Sequence, residues 1–385
     1  MKILFLDQSG KPGGAELCLI DIAKPYRDNC LVGLFADGPF RHLLEQQHIP
    51  VQVLATESIQ VRKESSLVQG LGSVKSLVPL IAQVVQKARE YDLIYANTQK
   101  ALVVGALASF LSRRPLVYHL HDILSLDHFS RTNRRIAVTL ANTRASLVIA
   151  NSKASQAAFV EAGGRLELTE VVYNGFEPEF FRSNEDNSHQ LKKQLGLDGR
   201  FLVGHFSRLS PWKGQHVLLE ALGRCPEDVT AIFVGDALFG EQDYVQHLRD
   251  RVAELGLKKR VQFLGFRSDI VQLMSACDLV AHTSIAPEPF GRVIVEAMLC
   301  GRPVVAAEAG GAIELVEPGI TGFLVPPEEP QQLAEIITSC RNQPEKTLAI
   351  AHHAQNQASQ RFHLQTINQQ IAQLLSQTVT QKDEG

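Results

Sequence analysis

Short apolar runs punctuate the whole sequence, and between them lie stretches long enough for a helix and a turn. In the first half the runs are Ile3–Leu6, Leu93–Ala96, Leu116–Leu120, Leu147–Ala150 and Val171–Tyr173. In the second they are Phe201–Val203, Ala231–Val234, Val261–Leu264, Leu279–Ala281 and Pro303–Ala306. Their length is that of strands, and continuous rather than alternating hydrophobicity is what burial on both faces of a parallel sheet requires. Strands alternating with helices predict a doubly wound α/β sheet, and the pattern runs through twice. A chain of 385 residues also exceeds what one core ordinarily organises, so two Rossmann-like domains are expected. The polar, turn-rich stretch 180–189 reads as the linker, giving domains at 1–180 and 190–361. Beyond it, Leu364, Ile367, Ile371 and Leu374 recur at helical spacing and predict a terminal helix over about 362–380.

Composition removes several classes of function. No apolar run reaches the ~20 residues of a membrane helix, and Met1–Asp7 is interrupted too soon for a secretory signal, so a soluble, cytoplasmic chain is expected. The six cysteines are scattered without metal-finger spacing and read as reduced core residues. A net charge of -3 offers no general attraction to nucleic acid or anionic lipid. Two local stretches depart from this: Arg131, Arg134, Arg135 and Arg144 among apolar residues, and the segment Glu57 to Lys75 with Arg62, Lys63, Leu67, Val68 and Leu71. Either suits an acceptor contact or a peripheral contact at the inner face of a membrane, against the plainer reading of solvated helix faces.

In open α/β sheets ligands bind beyond the carboxyl ends of the strands, so chemistry is sought there. After the first strand, Gly10-Lys11-Pro12-Gly13-Gly14-Ala15-Glu16 leads into a helix, where glycines allow backbone amides to approach a phosphate or sugar. It matches neither the dinucleotide fingerprint nor a P-loop. After the strand at Phe201, the loop Ser207–Gly214 carries Arg208 and Lys213, two cations suited to a diphosphate. Downstream, Glu288 precedes a helix and Glu296 lies inside it, with seven residues between. A loop carboxylate can accept from sugar hydroxyls and a helical one from a ribose diol, while amides of Gly291, Arg292, Val293 and Ile294 face phosphate oxygens. His119 and His121 share a strand face and offer either a metal pair or a single polar group beside a substrate. No further histidine or carboxylate in the sequence completes a metal set, and Asp-x-Asp is absent.

Glu288-x7-Glu296 with Pro289-Phe290-Gly291, the Arg208/Lys213 pair, Gly13-Gly14-Ala15-Glu16, Asn151-Ser152 and Val172-Tyr173-Asn174-Gly175 together resemble the retaining glycosyltransferases of family four. The resemblance covers nearly the whole chain, with its motifs in family order. It implies a GT-B architecture, two Rossmann-like domains facing across a cleft, with the acceptor in the N-terminal half and the donor nucleotide in the C-terminal half. Arg208 and Lys213 would then neutralise the donor diphosphate, Glu296 hold the ribose, and Glu288 with the Phe290-Gly291 backbone fix the sugar. Gly235, Phe266 and Arg267 would border the base, and Gly13 and Gly14 would close over diphosphate and sugar. His121 would lie beside the transferred sugar, Asn151 and Asn174 on the acceptor side, and the terminal helix would return to the first domain.

The activity implied is transfer of a hexose, with UDP-glucose as the first choice of donor, to a saccharide or lipid-linked saccharide in cell-surface polysaccharide assembly. No metal or other cofactor is required, since Arg208, Lys213 and a helix start carry the diphosphate charge. Retention without an evident carboxylate nucleophile suggests a front-face displacement. Three rivals stand beside it: a sugar-nucleotide epimerase of the same architecture, a metal hydrolase resting on His119 and His121, and a non-catalytic sugar-nucleotide-binding protein.

Overall fold

The computed structural model describes residues 1–54, 74–126, 129–182, 185–237 and 240–383. The segment Glu57 to Lys75, a candidate acceptor or membrane contact, lies outside the described residues up to position 73. The chain divides into two compact units, Met1–Gly175 with Leu364–Gly385, and Phe176–His363.

The first unit is built on a seven-stranded sheet. Its strands are β1 (Ile3–Asp7), β2 (Cys30–Leu34), β3 (Val51–Val53), β4 (Leu93–Ala96), β5 (Leu116–Leu120), β6 (Ala145–Ala150) and β7 (Thr169–Val171), in the order β3-β2-β1-β4-β5-β6-β7. Every pairing is parallel. Alternation along each strand feeds two cores. Leu4, Leu6, Ile94, Ala96, Leu116, Tyr118, Val148 and Ala150 pack on one face with helices Gln99–Ser112 and Arg131–Arg144. Ile3, Phe5, Leu93, Tyr95, Val117, Leu147 and Ile149 pack on the other with helix Gly14–Ala23 and with Ile367, Ile371 and Leu375 of the terminal helix Leu364–Asp383. That helix is tied down by Asn368 Nδ2, which donates to the Asp21 carbonyl at 3.0 Å. Leu375, rather than Leu374, is its fully buried residue.

The second unit repeats the scheme with β8 (Phe201–Phe206), β9 (Val229–Val234), β10 (Val261–Gly265), β11 (Leu279–His282), β12 (Val304–Ala307) and β13 (Phe323–Val325), all parallel in the order β10-β9-β8-β11-β12-β13. Val203, Ala231, Phe233, Leu279, Ala281 and Val305 form one core with helices Gln215–Leu222 and Pro330–Asn342.

Three strands escape the sequence pattern. Gly33 interrupts β2, and β3 and β13 are three-residue edge strands with half-exposed positions. The last strand of the first half ends at Val171 instead of running Val171–Tyr173. The stretch 180–189 is not linker throughout. Residues from Glu185 form helix Glu185–Gln194, held to the second unit by Lys192 Nζ on Asp278 Oδ2 at 2.7 Å. The apolar stripe of helix Arg131–Arg144, namely Ala137, Val138 and Ala141, is turned into the core. No described helix is long and apolar enough to cross a membrane.

Candidate active site

Each sheet reverses its winding at one point, between β1 and β4 in the first unit and between β8 and β11 in the second. Helices leaving adjacent strands there diverge to opposite faces and open a crevice at the carboxyl ends. The predicted site residues follow the carboxyl ends of strands in both sheets, some beside these two points and others, such as Asn151 after β6 and Phe266 after β10, further along.

In the second unit, the loop after β8 is fastened to the strand end of β11. Gly214 sits at φ 68°, where a Cβ would meet the Thr283 carbonyl oxygen at 1.9 Å, and Thr283 Oγ1 donates to the Gly214 and Lys213 carbonyls at 2.8 and 3.2 Å. This aims Lys213 Nζ at both oxygens of Glu288, at 2.8 and 2.7 Å. His282 Nε2 and Ser284 Oγ reach Glu288 Oε2 at 3.3 and 3.0 Å. Burial alone would push the Glu288 carboxyl up, but the Lys213 charge and the His282 hydrogen bond outweigh it and hold the group well below the usual range. Glu288 is therefore ionised. His282 and Ser284, which the sequence reading passed over, are the neighbours that orient it.

The Glu288 backbone is clamped as well. Gly311 N donates to its carbonyl at 2.7 Å, and a Cβ on Gly310, at φ 60°, would meet that oxygen at 2.3 Å. Helix Arg292–Leu299 follows, with Gly291 as its N-cap at φ 95°. The Ile294 amide is already used by the Gly291 carbonyl at 2.9 Å. Arg292 and Val293 open the helix, in the turn that precedes the intrahelical ladder of hydrogen bonds. Arg292 lies over the Phe176 ring, 4.5 Å from its centroid, with Nε 3.4 Å from Glu296 Oε1. Burial raises the Glu296 carboxyl, and Arg292 opposes the shift. The Phe290 side chain is core, stacked on Phe176 at 6.4 Å and edge-on to Phe362 at 5.9 Å, so only its backbone faces the site.

Arg208 and Arg267 both have acidic neighbours that sequence spacing did not reveal. Arg208 Nε lies 3.3 Å from Glu241 Oε2, and Glu241 also accepts from Ser210 Oγ at 2.6 Å. Arg267 forms a fork with Asp269 at 2.7 and 2.5 Å. Gly235 is packed so that a Cβ would meet the Ser207 carbonyl at 2.1 Å. Phe266 is 75% exposed, with its amide on Asp236 Oδ2 at 3.1 Å.

At the other edge, β1 ends in Asp7, fully buried, which accepts from Ser9 N and Asn97 Nδ2, both at 2.7 Å. Gly13 caps helix Gly14–Ala23, where a Cβ would come within 2.9 Å of Glu16 Oε2. Burial raises both acids, and the Asp7 charge lifts Glu16 further, to about 8. His121 Nε2 lies 2.9 Å from Asn97 Oδ1, its ring 3.8 Å from that of His119. His119 is buried, its Nδ1 2.7 Å from the Tyr95 hydroxyl, and burial followed by the neighbouring His121 charge drives its basicity well below normal. Asn174 accepts from Cys18 Sγ at 3.4 Å. Asn151 accepts from Ser155 Oγ at 2.8 Å and lies at the start of helix Lys153–Glu161. Cys18 supplies what the sequence did not, a third group beside the two histidines: ligand atoms of Cys18, His119 and His121 lie within 4.8 Å of one another.

Residues 187–360 match the family model for glycosyl transferases group 1, and residues 13–175 match a glycosyl transferase 4-like domain. A crystal structure of Anabaena HepE in complex with UDP-glucose is similar at 66% identity, covering 98% of this chain and 100% of that one, with a TM-score of 0.91. The chain belongs to the group 1 glycosyltransferases. This glycosyltransferase, a transferase of GT-B fold, is also 28% identical over 319 residues to the D-inositol 3-phosphate glycosyltransferase of Corynebacterium urealyticum, across 78% of this chain and 74% of that protein. With spore coat protein SA of Bacillus subtilis the identity is 31% over 53% of this chain, which spans only 57% of that relative. Sucrose-phosphate synthase of Thermosynechococcus elongatus, at 20% identity and a TM-score of 0.83, shares the fold.

Proposed function

We propose that this glycosyltransferase moves glucose from UDP-glucose to a hydroxyl of a saccharide or lipid-linked saccharide, with retention at the anomeric carbon and without a divalent ion. One observation carries the donor: a protein two-thirds identical over its full length is known in complex with UDP-glucose, with UDP, and with UDP and glucose together. The site geometry supports it. Lys213 and the N-terminal end of helix Arg292–Leu299 supply positive potential for a diphosphate at a strand edge. Ionised Glu288, held by Lys213, His282 and Ser284, is a fixed acceptor for sugar hydroxyls. In this reading Glu296 takes the ribose diol and Phe266 borders the base.

Retention follows if the anomeric carbon–phosphate oxygen bond breaks while the acceptor oxygen bonds to the same face. The leaving phosphate oxygen then takes the acceptor's proton. Glu288 acts in this scheme as a positioning group, not a nucleophile. Membership of a transferase family favours this reaction over epimerisation, over silent binding, and over a hydrolase resting on the Cys18, His119 and His121 cluster. For the acceptor, exposed Phe110 and Leu111, with the Arg144 guanidinium 4.4 Å from the Phe110 ring centroid, suit a peripheral contact at the inner face of a membrane where a lipid-linked acceptor would reside.

Calorimetric titration with UDP, GDP and ADP in chelator tests this, followed by turnover of UDP-glucose in chelator. Selective binding of UDP, with glucose transferred or released without metal, is the expected result. Preference for another base, or turnover only on adding a divalent ion, would overturn it.

A further inference from the structure

We infer that Asn97 is a positioning residue that fixes the tautomer of His121, so that the neutral imidazole carries its hydrogen on Nε2 and keeps Nδ1 as the basic nitrogen. The orientation of the Asn97 amide decides this. Asn97 is fully buried, and its Nδ2 lies 2.7 Å from Asp7 Oδ2 and 3.2 Å from the Ala15 carbonyl. A carbonyl oxygen only accepts, so the atom facing Ala15 must be the amide nitrogen, whatever the protonation of Asp7. The Asn97 oxygen therefore faces His121 Nε2, at 2.9 Å. An amide oxygen also only accepts, so Nε2 must be the donor. The Ala15 carbonyl, in the glycine-rich turn, thus sets the proton position on a histidine more than a hundred residues away in sequence.

Two histidine rings 3.8 Å apart make the assignment matter. Without a fixed partner each ring could flip or exchange tautomers, and the charged form of either would be penalised by the other. The chain from Ala15 and Asp7 through Asn97 removes that freedom at His121, as the Tyr95 hydroxyl occupies Nδ1 of His119. Selecting one tautomer for His121 fixes Nε2 as its donor and Nδ1 as its acceptor beside a bound sugar. That consequence rests on the proposed place of His121 beside the transferred sugar.

The test is made on the full-length protein. Nitrogen-15 histidine spectra, assigned to His121 by comparison with His121→Gln, should show Nε2 protonated and Nδ1 bare in the neutral ring. Asn97→Leu, which offers no acceptor, should allow both tautomers. A wild-type ring protonated on Nδ1 would overturn the inference without any variant, as would an Asn97→Leu ring still held wholly in the Nε2-protonated form in a protein with wild-type UDP affinity. The proposed place of His121 fails separately: His121→Gln turning over at the wild-type rate would remove His121 from the site while leaving the tautomer measurement intact.

Discussion

A lysine and a glutamate joined at both carboxylate oxygens form the most consequential contact in the second unit, because each group alone would be costly where it stands. Their side chains are 16% and 13% exposed. Removing one partner leaves the other as a largely desolvated charge, a loss of roughly 1–3 kcal/mol or more. On the proposed function, the donor's diphosphate would substitute for Glu288 at Lys213 and its sugar would take up Glu288. Lys213→Ala should therefore weaken UDP binding, and Glu288→Ala should lower turnover by on the order of 10²-fold or more while binding UDP nearly normally. Isothermal titration and initial rates separate the two effects, with far-UV circular dichroism confirming the fold. Rates within about threefold of wild type in both variants would remove these residues from the site. Each residue was legible in sequence because both sit in motifs after strands, but their pairing, across 75 positions, was not. Glu241 beside Arg208 was not, since a carboxylate 33 positions on in a different loop carries no local signal. Neither was Asn97 beside His121, a contact 24 residues apart that exists only because β4 and β5 are neighbours in the sheet.

At the scale of elements, the loop that carries Lys213 is held by close backbone packing at Gly214. Gly214 ends the short turn Pro211–Lys213 and begins helix Gln215–Leu222, in a left-handed conformation and against the Thr283 carbonyl. A methyl group there is opposed twice, by the φ of 68° and by an oxygen 1.9 Å away. Gly214→Ala must shift β11 or the loop, and the loop carries Lys213. We expect a lowered melting temperature together with at least a tenfold loss of UDP affinity. Thr283→Val, which keeps the packing but removes the hydroxyl, should lose less of both. If Gly214→Ala bound UDP normally, the loop would not depend on this contact. The glycine was visible in the sequence, but its role was not, because the reason lies in a strand end nearly seventy residues later. The same limit hid β3 and β13. Three-residue edge strands bury too little to show a period, whereas β1, β5 and β9 are buried along their whole length and could be read directly.

Across the whole molecule, the two units place their ionisable groups in opposite senses, and pH separates them. In the second unit Glu288 is held below its usual range, and burial pushes His205 down to about 3. A depressed group contributes stability that is present above its unfolded value and lost as pH falls through the folded one. These two therefore leave the second unit unaffected near neutrality and weaken it in acid. In the first unit burial raises Asp7 to about 6, and burial with the Asp7 charge raises Glu16 to about 8. A raised carboxyl contributes stability that is full below its unfolded value and lost as pH rises through the folded one. Buried neutral His119 acts in the other direction, but only below its ordinary 6.5. Between pH 6.5 and 8 the Glu16 proton is thus left as the main linkage in the first unit. Its slope is about 1.4 kcal/mol per pH unit for one proton. Hydrogen exchange, corrected for intrinsic rates and read on peptides from β1, β4 and β5, should show protection falling over this window, while peptides from β8, β9 and β11 hold theirs. Glu16→Gln should flatten the first set. An unchanged slope in that variant would assign the proton elsewhere. An identical slope in both sets would mean that the two sheets open as one cooperative body, even though each has its own core.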